Sequence, residues 1–237
     1  MRIQKYLSEM GVMSRRAAEV AVSSGRVMIN GERASVGQKI LPEVDEVLAD
    51  GILISQNGLK DKKIYMMMYK PAGVVTTMSD DRGRLCVGDI LKQLGLRVYP
   101  VGRLDMYSEG LLVLTNDGEL ANKLMHPKHE VSKIYHATVK GMAKREIIKK
   151  LEEPVEISGR LTAGAGVDII EQKNGRTKLK IEIFEGRNRQ IRRICENCGL
   201  VIIKLKRVCV GKLNIGLLKP GEVKHLNHNE IRYLRNI

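Results

Sequence analysis

The sequence predicts an α+β protein in two parts: a small N-terminal domain, followed by a larger domain with a mixed, mostly antiparallel sheet and flanking helices. Three observations support this prediction. The 237 residues exceed one average domain. The apolar content of 43% is enough for real hydrophobic cores. Beyond about residue 60, candidate strands and helices are interspersed without the regular alternation of a doubly wound parallel sheet.

The first part of the chain, to about residue 45, is typical of a compact unit of two short helices and a hairpin. Ser14 is a good N-cap for a helix over residues 15–24, and Gly25 can end that helix. Asn30-Gly31 between two short strand-like runs is a strong hairpin signal. Basic residues cluster on this unit: Arg2, Lys5, Arg15, Arg16 and Arg26.

Residues 45–63 are polar and contain the turn-forming pairs Asp50-Gly51 and Asn57-Gly58, so we expect the domain boundary there. The predicted domains are 1–60, linker included, and 61–237. In the larger domain, apolar patterns predict strands at 64–69, 111–114, 133–139, 178–184 and 201–208. They predict helices at 118–125, 143–151, 189–197 and 229–234.

The charge balance is strongly basic: 41 Lys and Arg against 27 Asp and Glu give a net charge of +14. Such a charge favours polyanionic partners such as nucleic acid. It can also serve solubility alone. The distribution favours the first interpretation, because residues 185–212 contain eight basic residues and only two acidic ones, Glu185 and Glu196. The basic residues are Arg187, Arg189, Arg192, Arg193, Lys204, Lys206, Arg207 and Lys212.

Several classes of protein do not fit the sequence. No apolar run approaches the roughly 18–20 residues that a membrane span needs, and no signal peptide precedes the first helix. Four cysteines do not make a disulfide framework, so a reducing cytoplasm is expected. Cys195 and Cys198 form one C-x-x-C pair without a second pair, and we expect buried apolar residues there rather than a metal site.

The loop that leads into the apolar Leu-Leu-Val-Leu run carries three charged side chains, Arg103, Asp105 and Glu109. Gly102 and Gly110 allow tight backbone turns at its two ends. Charged residues on a loop that enters a buried strand are a common arrangement for a functional site. The spacing alone is equally consistent with a salt-bridged turn.

A divalent-metal site is a second alternative for this loop, with Asp105, Glu109 and Asp117 as oxygen ligands. Asp117 is more simply explained as the N-cap of the helix that begins near Gly118.

The motif G-R-L-D at 102–105, followed by S-E-G-L-L-V-L-T-N-D-G at 108–118, resembles the catalytic motif of the pseudouridine synthases. More narrowly it resembles the RsuA/RluB/RluE/RluF branch, with RluF or RluB as the most similar subgroups. Further stretches match that branch in order: 70–74, 133–135, 188–193 and 204–207. The N-terminal unit resembles the αL RNA-binding domain of ribosomal protein S4, which this branch carries in the same position.

The resemblance implies the conversion of a uridine to pseudouridine without any cofactor. It assigns the catalytic carboxylate to Asp105 and a partner cation to Arg192. We expect a bidentate guanidinium–carboxylate pair that keeps the carboxylate ionised. Tyr135 corresponds to the family tyrosine that stacks on the target base, and Leu205 to the apolar floor of the pocket. Arg103 would fill the space left by the flipped base or contact its phosphate.

The implied substrate is a ribosomal RNA stem-loop or pre-ribosomal particle, with large-subunit (23S) RNA favoured over small-subunit (16S) RNA. A non-catalytic RNA-binding assembly protein and a metal-dependent nuclease are the alternatives from other classes. A monomer is expected. The residues expected to grip the RNA are mostly basic: Arg187, Arg189, Arg193, Arg207, Lys70, Arg15, Arg16 and Arg26, besides Arg103 and Leu205.

Overall fold

The computed structural model describes residues 1–54 and 63–237. The chain divides into two compact units, Met1–Lys63 and Ile64–Ile237. The predicted boundary at residue 60 and the predicted turn at Asn57-Gly58 lie outside the described residues. Within the described part, no helix is both long and apolar enough to cross a membrane.

The N-terminal unit combines two helices with a four-stranded antiparallel sheet of order β2-β1-β3-β4. The Ser14 side chain accepts a hydrogen bond from the Ala17 amide, as the predicted N-cap requires. Asn30 and Gly31 have φ of 51° and 82°, which confirms the predicted hairpin turn. The elements are α1 (Ile3–Glu9), α2 (Arg15–Ser23), β1 (Val27–Ile29), β2 (Glu32–Arg33), β3 (Val47–Ala49) and β4 (Ile52–Leu53).

The interpretation of residue 45 onward as linker is wrong for the hairpin of β3 and β4. Val47 and Ala49 are buried in the core of the N-terminal unit. Asp50 and Gly51 form the turn between the two strands, with φ of 50° and 77°. Asp-Gly pairs are as typical of hairpin turns as of linkers, and the two short strands beside this pair have too few residues to show an alternation.

The second unit contains a nine-stranded sheet. Seven strands follow the order β11-β12-β8-β13-β7-β5-β15, while β14 pairs with β13 and β6 pairs with β7. Among these strand pairs only β13 and β7 run parallel, so the predicted mixed, mostly antiparallel sheet is confirmed. The strands are β5 (Tyr65–Lys70), β6 (Tyr99–Val101), β7 (Glu109–Thr115), β8 (Lys133–Lys140), β11 (Gly166–Lys173), β12 (Arg176–Ile183), β13 (Ile202–Val210), β14 (Leu213–Asn214) and β15 (Val223–His225).

The helices of this unit are α3 (Val87–Lys92), α4 (Gly118–Met125), α5 (Arg145–Glu152), α6 (Gln190–Asn197) and α7 (His228–Arg235), and a small separate hairpin is formed by β9 (Glu156–Ile157) and β10 (Arg160–Leu161). The five predicted strands and four predicted helices are all present, with ends that differ by at most two residues. The sequence did not predict α3, β6, β9, β10, β11, β14 or β15.

One face of the sheet is covered where β8, β12 and β13 meet. Tyr135, Ala137 and Val139 alternate with partly exposed residues along β8. They belong to one buried cluster with Leu205 of β13 and with residues of α5 and α6. This cluster also contains Leu104 and Ile191, which neighbour the candidate site residues Asp105 and Arg192 along the chain.

Candidate active site

The segment after β5 holds the loop that carries Asp105. The Thr76 hydroxyl donates to the Leu104 carbonyl oxygen at 2.7 Å and accepts from the Leu104 amide at 3.2 Å. The Gly73 amide donates to the carbonyl oxygen of Met106 at 2.7 Å. The backbone is therefore fixed on both sides of Asp105, which limits the positions that its carboxylate can take.

Lys70 supports the same loop from inside the protein. Its side chain is fully buried, and Nζ donates to the carbonyl oxygens of Pro71 and Val74, both at 2.7 Å, and of Met106 at 3.4 Å. Burial lowers the pKa of Lys70 to about 8, although nearby carboxylates oppose this shift. The expectation that Lys70 contacts the substrate is therefore corrected, because its buried ammonium group already donates to three backbone carbonyl oxygens.

Asp105 lies beside Arg192 of α6. The Asp105 side chain is 37% exposed and that of Arg192 only 14%, with 3.9 Å between Oδ2 and Nε. Arg192 Nη2 donates instead to the Tyr107 carbonyl oxygen at 3.1 Å and to Ser108 Oγ at 3.3 Å. Within the described chain its buried Nε has no hydrogen-bond partner. The expected bidentate pair is thus not formed, because Nη2 is held by the loop backbone and only the Nε edge faces Asp105.

Tyr135 and Leu205 line the covered face of the sheet next to this loop. They are 8% and 4% exposed. Both belong to the buried cluster that contains Leu104, the neighbour of Asp105, and Ile191 on α6. The loop that carries Asp105, the α6 arginine and the strand tyrosine predicted from the sequence therefore share one core.

Arg207 is not an exposed phosphate contact, contrary to expectation. It is 5% exposed, and its Nε donates to the Leu111 carbonyl oxygen at 2.7 Å. Its Nη1 lies 3.5 Å from the Tyr135 hydroxyl oxygen. Arg207 lies opposite Gly110 where β13 runs parallel to β7, so the guanidinium is buried within the sheet beside the tyrosine.

Arg187 also has a structural position. Its Nε donates to Glu185 at 2.8 Å, and its two terminal nitrogens donate to the carbonyl oxygens of Arg160 and Leu161, both at 2.7 Å. These bonds attach the loop before α6 to the β9–β10 hairpin. The prediction that Arg187 grips RNA is corrected accordingly, since every side of its guanidinium already has a protein partner.

The other predicted RNA-binding arginines are accessible. Arg103 is exposed on the loop that carries Asp105, and Arg189 is exposed at the start of α6, 3.5 Å from Glu196. Arg193 is partly exposed and donates to Asn188 at 3.2 Å. In the N-terminal unit three further arginines are exposed, of which Arg26 pairs with Asp50 at 2.9 Å: Arg15, Arg16 and Arg26.

The metal alternative loses two of its three ligands. Glu109 accepts a hydrogen bond from the Tyr69 hydroxyl at 2.7 Å and pairs with Lys204 at 2.9 Å. Asp117 caps α4, as predicted. In the described ranges no three His, Cys, Asp or Glu side chains are grouped closely enough to hold a metal ion. In the C-x-x-C pair Cys195 is fully buried, and burial raises the pKa of its thiol to about 12.

Two residues that shape the site were not found from the sequence. Thr76 precedes the loop that it holds by 28 residues, and Ser108 contacts an arginine 84 residues away. Thr and Ser are common at loop positions, so no local spacing distinguishes these two hydroxyls from ordinary turn residues.

Comparisons with known proteins identify the family of this chain. A family model described as RNA pseudouridylate synthase matches residues 64–197, and an S4 domain matches residues 1–47. The chain is 41% identical to "Ribosomal large subunit pseudouridine synthase B" of Bacillus subtilis, over 99% of this chain and 95% of that protein. It is 37% identical to the protein of the same name in Pseudomonas aeruginosa, over 98% and 61% of the two chains.

A solved structure described as "Crystal structure of pseudouridylate synthase" superposes on this chain with a TM-score of 0.70. Its sequence is 26% identical, and the match covers 99% of both chains. A full-length relative above 40% identity and a family model that covers Asp105, Tyr135 and Arg192 together show the family. The chain belongs to the RNA pseudouridylate synthase family and carries an S4 domain at its N-terminus.

Proposed function

We propose that this chain converts a specific uridine of large-subunit (23S) ribosomal RNA into pseudouridine, with Asp105 as the catalytic carboxylate. The observation that carries the proposal is a partly exposed carboxylate on a loop fixed on both sides, beside the free Nε edge of Arg192. The choice of large-subunit RNA rests on the relatives from B. subtilis and P. aeruginosa, whose names state that substrate. Work on ribosomal RNA would place the protein in the cytoplasm.

The reaction breaks the bond between the sugar and a ring nitrogen of uracil and joins the same sugar carbon to a ring carbon. That ring carbon loses a proton, and the freed nitrogen gains one, so the isomerisation balances without any other reactant. Asp105 would act on the sugar side, either by bonding to the sugar carbon or by assisting the elimination of the base.

Arg192 would keep the Asp105 carboxylate ionised once the RNA covers it. A covering base removes water from the carboxylate and favours its neutral form, and a guanidinium opposes this effect. A small rotation of the arginine would replace the present 3.9 Å separation by a hydrogen bond from Nε. Because Nη2 is already held by the loop, such a rotation would give a single, directed contact.

Tyr135 and Leu205 would receive the flipped uracil. A uridine in folded RNA must leave its stack to reach the carboxylate, which costs a few kcal/mol. An apolar wall and an aromatic ring next to the loop can offset part of that cost by stacking. The exposed Arg103 on the same loop would contact the RNA backbone or fill the vacated place in the stack.

The substrate is tested by incubating the purified protein with transcripts of large- and small-subunit ribosomal RNA and mapping pseudouridines by chemical labelling. The proposal predicts one new pseudouridine in large-subunit RNA, and the same position missing from a strain that lacks the gene. A pseudouridine only in small-subunit RNA would contradict the substrate. RNA binding without any isomerisation would instead support the assembly-protein alternative.

A further inference from the structure

We infer that the open face of the sheet, on the side opposite to Tyr135 and Leu205, binds a second segment of the RNA substrate through its phosphates. This inference rests on the proposed function, because it takes RNA as the ligand. The surface is formed by β12, β8 and β13, and it is called the basic sheet face below. It is defined by Arg176, Lys178, Lys180, His136, Lys140, Lys204 and Lys206.

The alternation of side chains separates this surface from the catalytic pocket. Residues 135, 137 and 139 of β8 are buried, whereas His136 and Thr138 are partly exposed. The same alternation along β12 buries Leu179 and leaves Lys178 and Lys180 partly exposed. Successive residues of a strand point to opposite faces of a sheet, so the basic sheet face lies behind the pocket wall.

The strand register brings cations of three strands into one row. Lys180 of β12 pairs with His136 of β8, and His136 pairs with Lys206 of β13. In the next row, Lys178 and Lys204 lie on either side of Thr138. Neighbouring strands are about 4.8 Å apart, and residues two apart along a strand about 7 Å, so these cations form a compact two-dimensional array.

A concave site lies within this array. A cavity of about 400 Å³ is lined by the charged or polar side chains of His136, Lys180 and Lys206 and by the apolar Ile134 and Ile215. Cations and apolar side chains around one concave site are the combination that suits one nucleotide of an RNA strand, with its phosphate on the cations and its sugar or base on the apolar side chains.

Six Lys and Arg side chains outnumber the four carboxylates on this side, which the strand register places beside Lys180, Lys178, Ile134 and Lys206, respectively: Asp168, Glu171, Glu182 and Glu109. Lys180 pairs with Asp168 at 3.0 Å and Lys204 with Glu109 at 2.9 Å, but these lysine side chains are 42% and 58% exposed. The Lys180–Asp168 pair is exposed on both partners, so it contributes little and a phosphate can replace Asp168 at small cost. Glu109 is only 13% exposed, so its pair with Lys204 is not of this kind. Lys206 lies 4.6 Å from the centre of the Tyr69 ring, a contact that leaves its full positive charge in place.

His136 reports the positive potential at the centre of the array. Burial lowers the pKa of His136, and the charges of Lys178, Lys206 and Lys180 lower it further. A bound phosphate would have the opposite effect and stabilise the imidazolium form. RNA binding on this face should therefore raise the pKa of His136.

The test is the salt dependence of RNA binding by the full chain with Lys180→Gln and Lys206→Gln together. The probe is a structured transcript of large-subunit ribosomal RNA. Each phosphate contact contributes about −0.7 to −0.9 to the slope of log affinity against log salt. Loss of two contacts predicts that, between 50 and 200 mM salt, the wild type loses about tenfold more affinity than the variant.

The matched control is Lys149→Gln with Lys150→Gln, which removes the same charge. These lysines are exposed on α5, and α5 packs on the other face through Ile147, Ile148 and Leu151. The control is expected to keep the wild-type salt slope. Equal slopes for both double variants and the wild type would overturn the inference. The basic sheet face would then suit an acidic protein partner instead of RNA.

Two further measurements separate this result from a folding defect. If the glutamine variant melts early, Lys180→Arg with Lys206→Arg keeps both charges and is expected to restore wild-type binding. Independently, NMR titration of His136 is expected to show a raised pKa with RNA bound. An unchanged pKa would contradict RNA binding at this face. If the wild type isomerises no uridine but the slopes differ as expected, the proposed function fails while this inference stands.

Discussion

Thr76 forms hydrogen bonds to both backbone polar groups of Leu104, at 2.7 Å to the carbonyl oxygen and 3.2 Å to the amide. The bonds are buried, with Thr76 9% exposed. Leu104 directly precedes Asp105, and its side chain lies in the cluster that contains Tyr135. One hydroxyl therefore links the position of the Asp105 loop to the buried cluster that contains Tyr135.

Thr76→Val is expected to lower the isomerisation rate more than the affinity for RNA. Valine has the shape of threonine but removes both bonds, and a misplacement of about 1 Å at a catalytic group can reduce the rate about 100-fold. Single-turnover rates and RNA dissociation constants measured side by side check this. Thr76→Ser, which keeps the hydroxyl, should retain most of the rate, and failure of this rescue would point to a packing role instead.

Activity is expected to fall as the pH rises through about 8, the pKa of Lys70. The ammonium donates to three carbonyls around the catalytic loop, and a neutral amine has one proton fewer to donate. A pH–rate profile under single-turnover conditions checks this. A profile that stays flat from pH 7 to 9.5 would contradict the role of the charged lysine in holding the loop.

The same lysine predicts the opposite trend for stability. Its pKa is lowered from 10.5 to about 8 by burial, so between these values the unfolded chain binds more protons than the folded chain. Lys70 alone then contributes a rise of about 1 kcal/mol per pH unit to the free energy of unfolding within this window. The cysteine thiols contribute a fall over the same window, because burial raises their pKa values. Urea unfolding of the wild type and of Lys70→Met at pH 8.5 and 9.5 isolates the lysine: between these pH values the wild type should gain about 1 kcal/mol relative to the variant.

Gly110→Ala is expected to destabilise the protein by about 3 kcal/mol or more. Gly110 has φ of 110°, and an added Cβ would lie 2.2 Å from the carbonyl oxygen of Arg207 in the parallel β7–β13 pair. Gly186→Ala is the matched control, because an added Cβ there meets nothing within 4 Å. Thermal or urea unfolding of the two variants compares them, and similar melting would refute the close approach of the strands.

Arg207→Met is expected to lose stability, whereas Arg189→Met is expected to lose affinity for RNA. Removal of the buried guanidinium of Arg207 leaves the Leu111 carbonyl oxygen without its donor and should cost about 2 kcal/mol of stability. Removal of the exposed Arg189 should leave stability unchanged and reduce the salt slope of RNA binding by about 1. Reduced stability for the Arg189 variant alone would reverse the assignment of these two arginines.

The sequence predicted the elements of the site better than their contacts. The positions of Asp105, Arg192 and Tyr135 followed from motifs, and β7, β8 and α6 followed from apolar periodicity. The hydrogen bonds of Arg192 did not follow, because they depend on how α6 meets a loop some 85 residues earlier in the chain. Such long-range geometry leaves no local pattern.

Residue type was misleading for the buried cations. Arg207 was assigned to RNA as part of a concentrated stretch of basic residues, and Lys70 as a basic residue of a stretch that matches the family. Both are buried, since each finds backbone carbonyl partners. Lys70 finds them at Pro71 and Val74, directly after its own strand, and Arg207 finds one at Leu111 of the paired strand β7. β11 was missed for a different reason: six of its eight residues are exposed, so it lacks the alternation that reveals a half-buried strand.

The most direct test of the account is the single-turnover isomerisation of large-subunit ribosomal RNA by Asp105→Asn. Asparagine keeps the size of the side chain but removes the carboxylate, and the account predicts loss of isomerisation with RNA affinity within about twofold of wild type. Asp81→Asn, on an exposed aspartate, should keep the full rate. Isomerisation by Asp105→Asn at a rate near that of the wild type would contradict the central claim that Asp105 is the catalytic carboxylate.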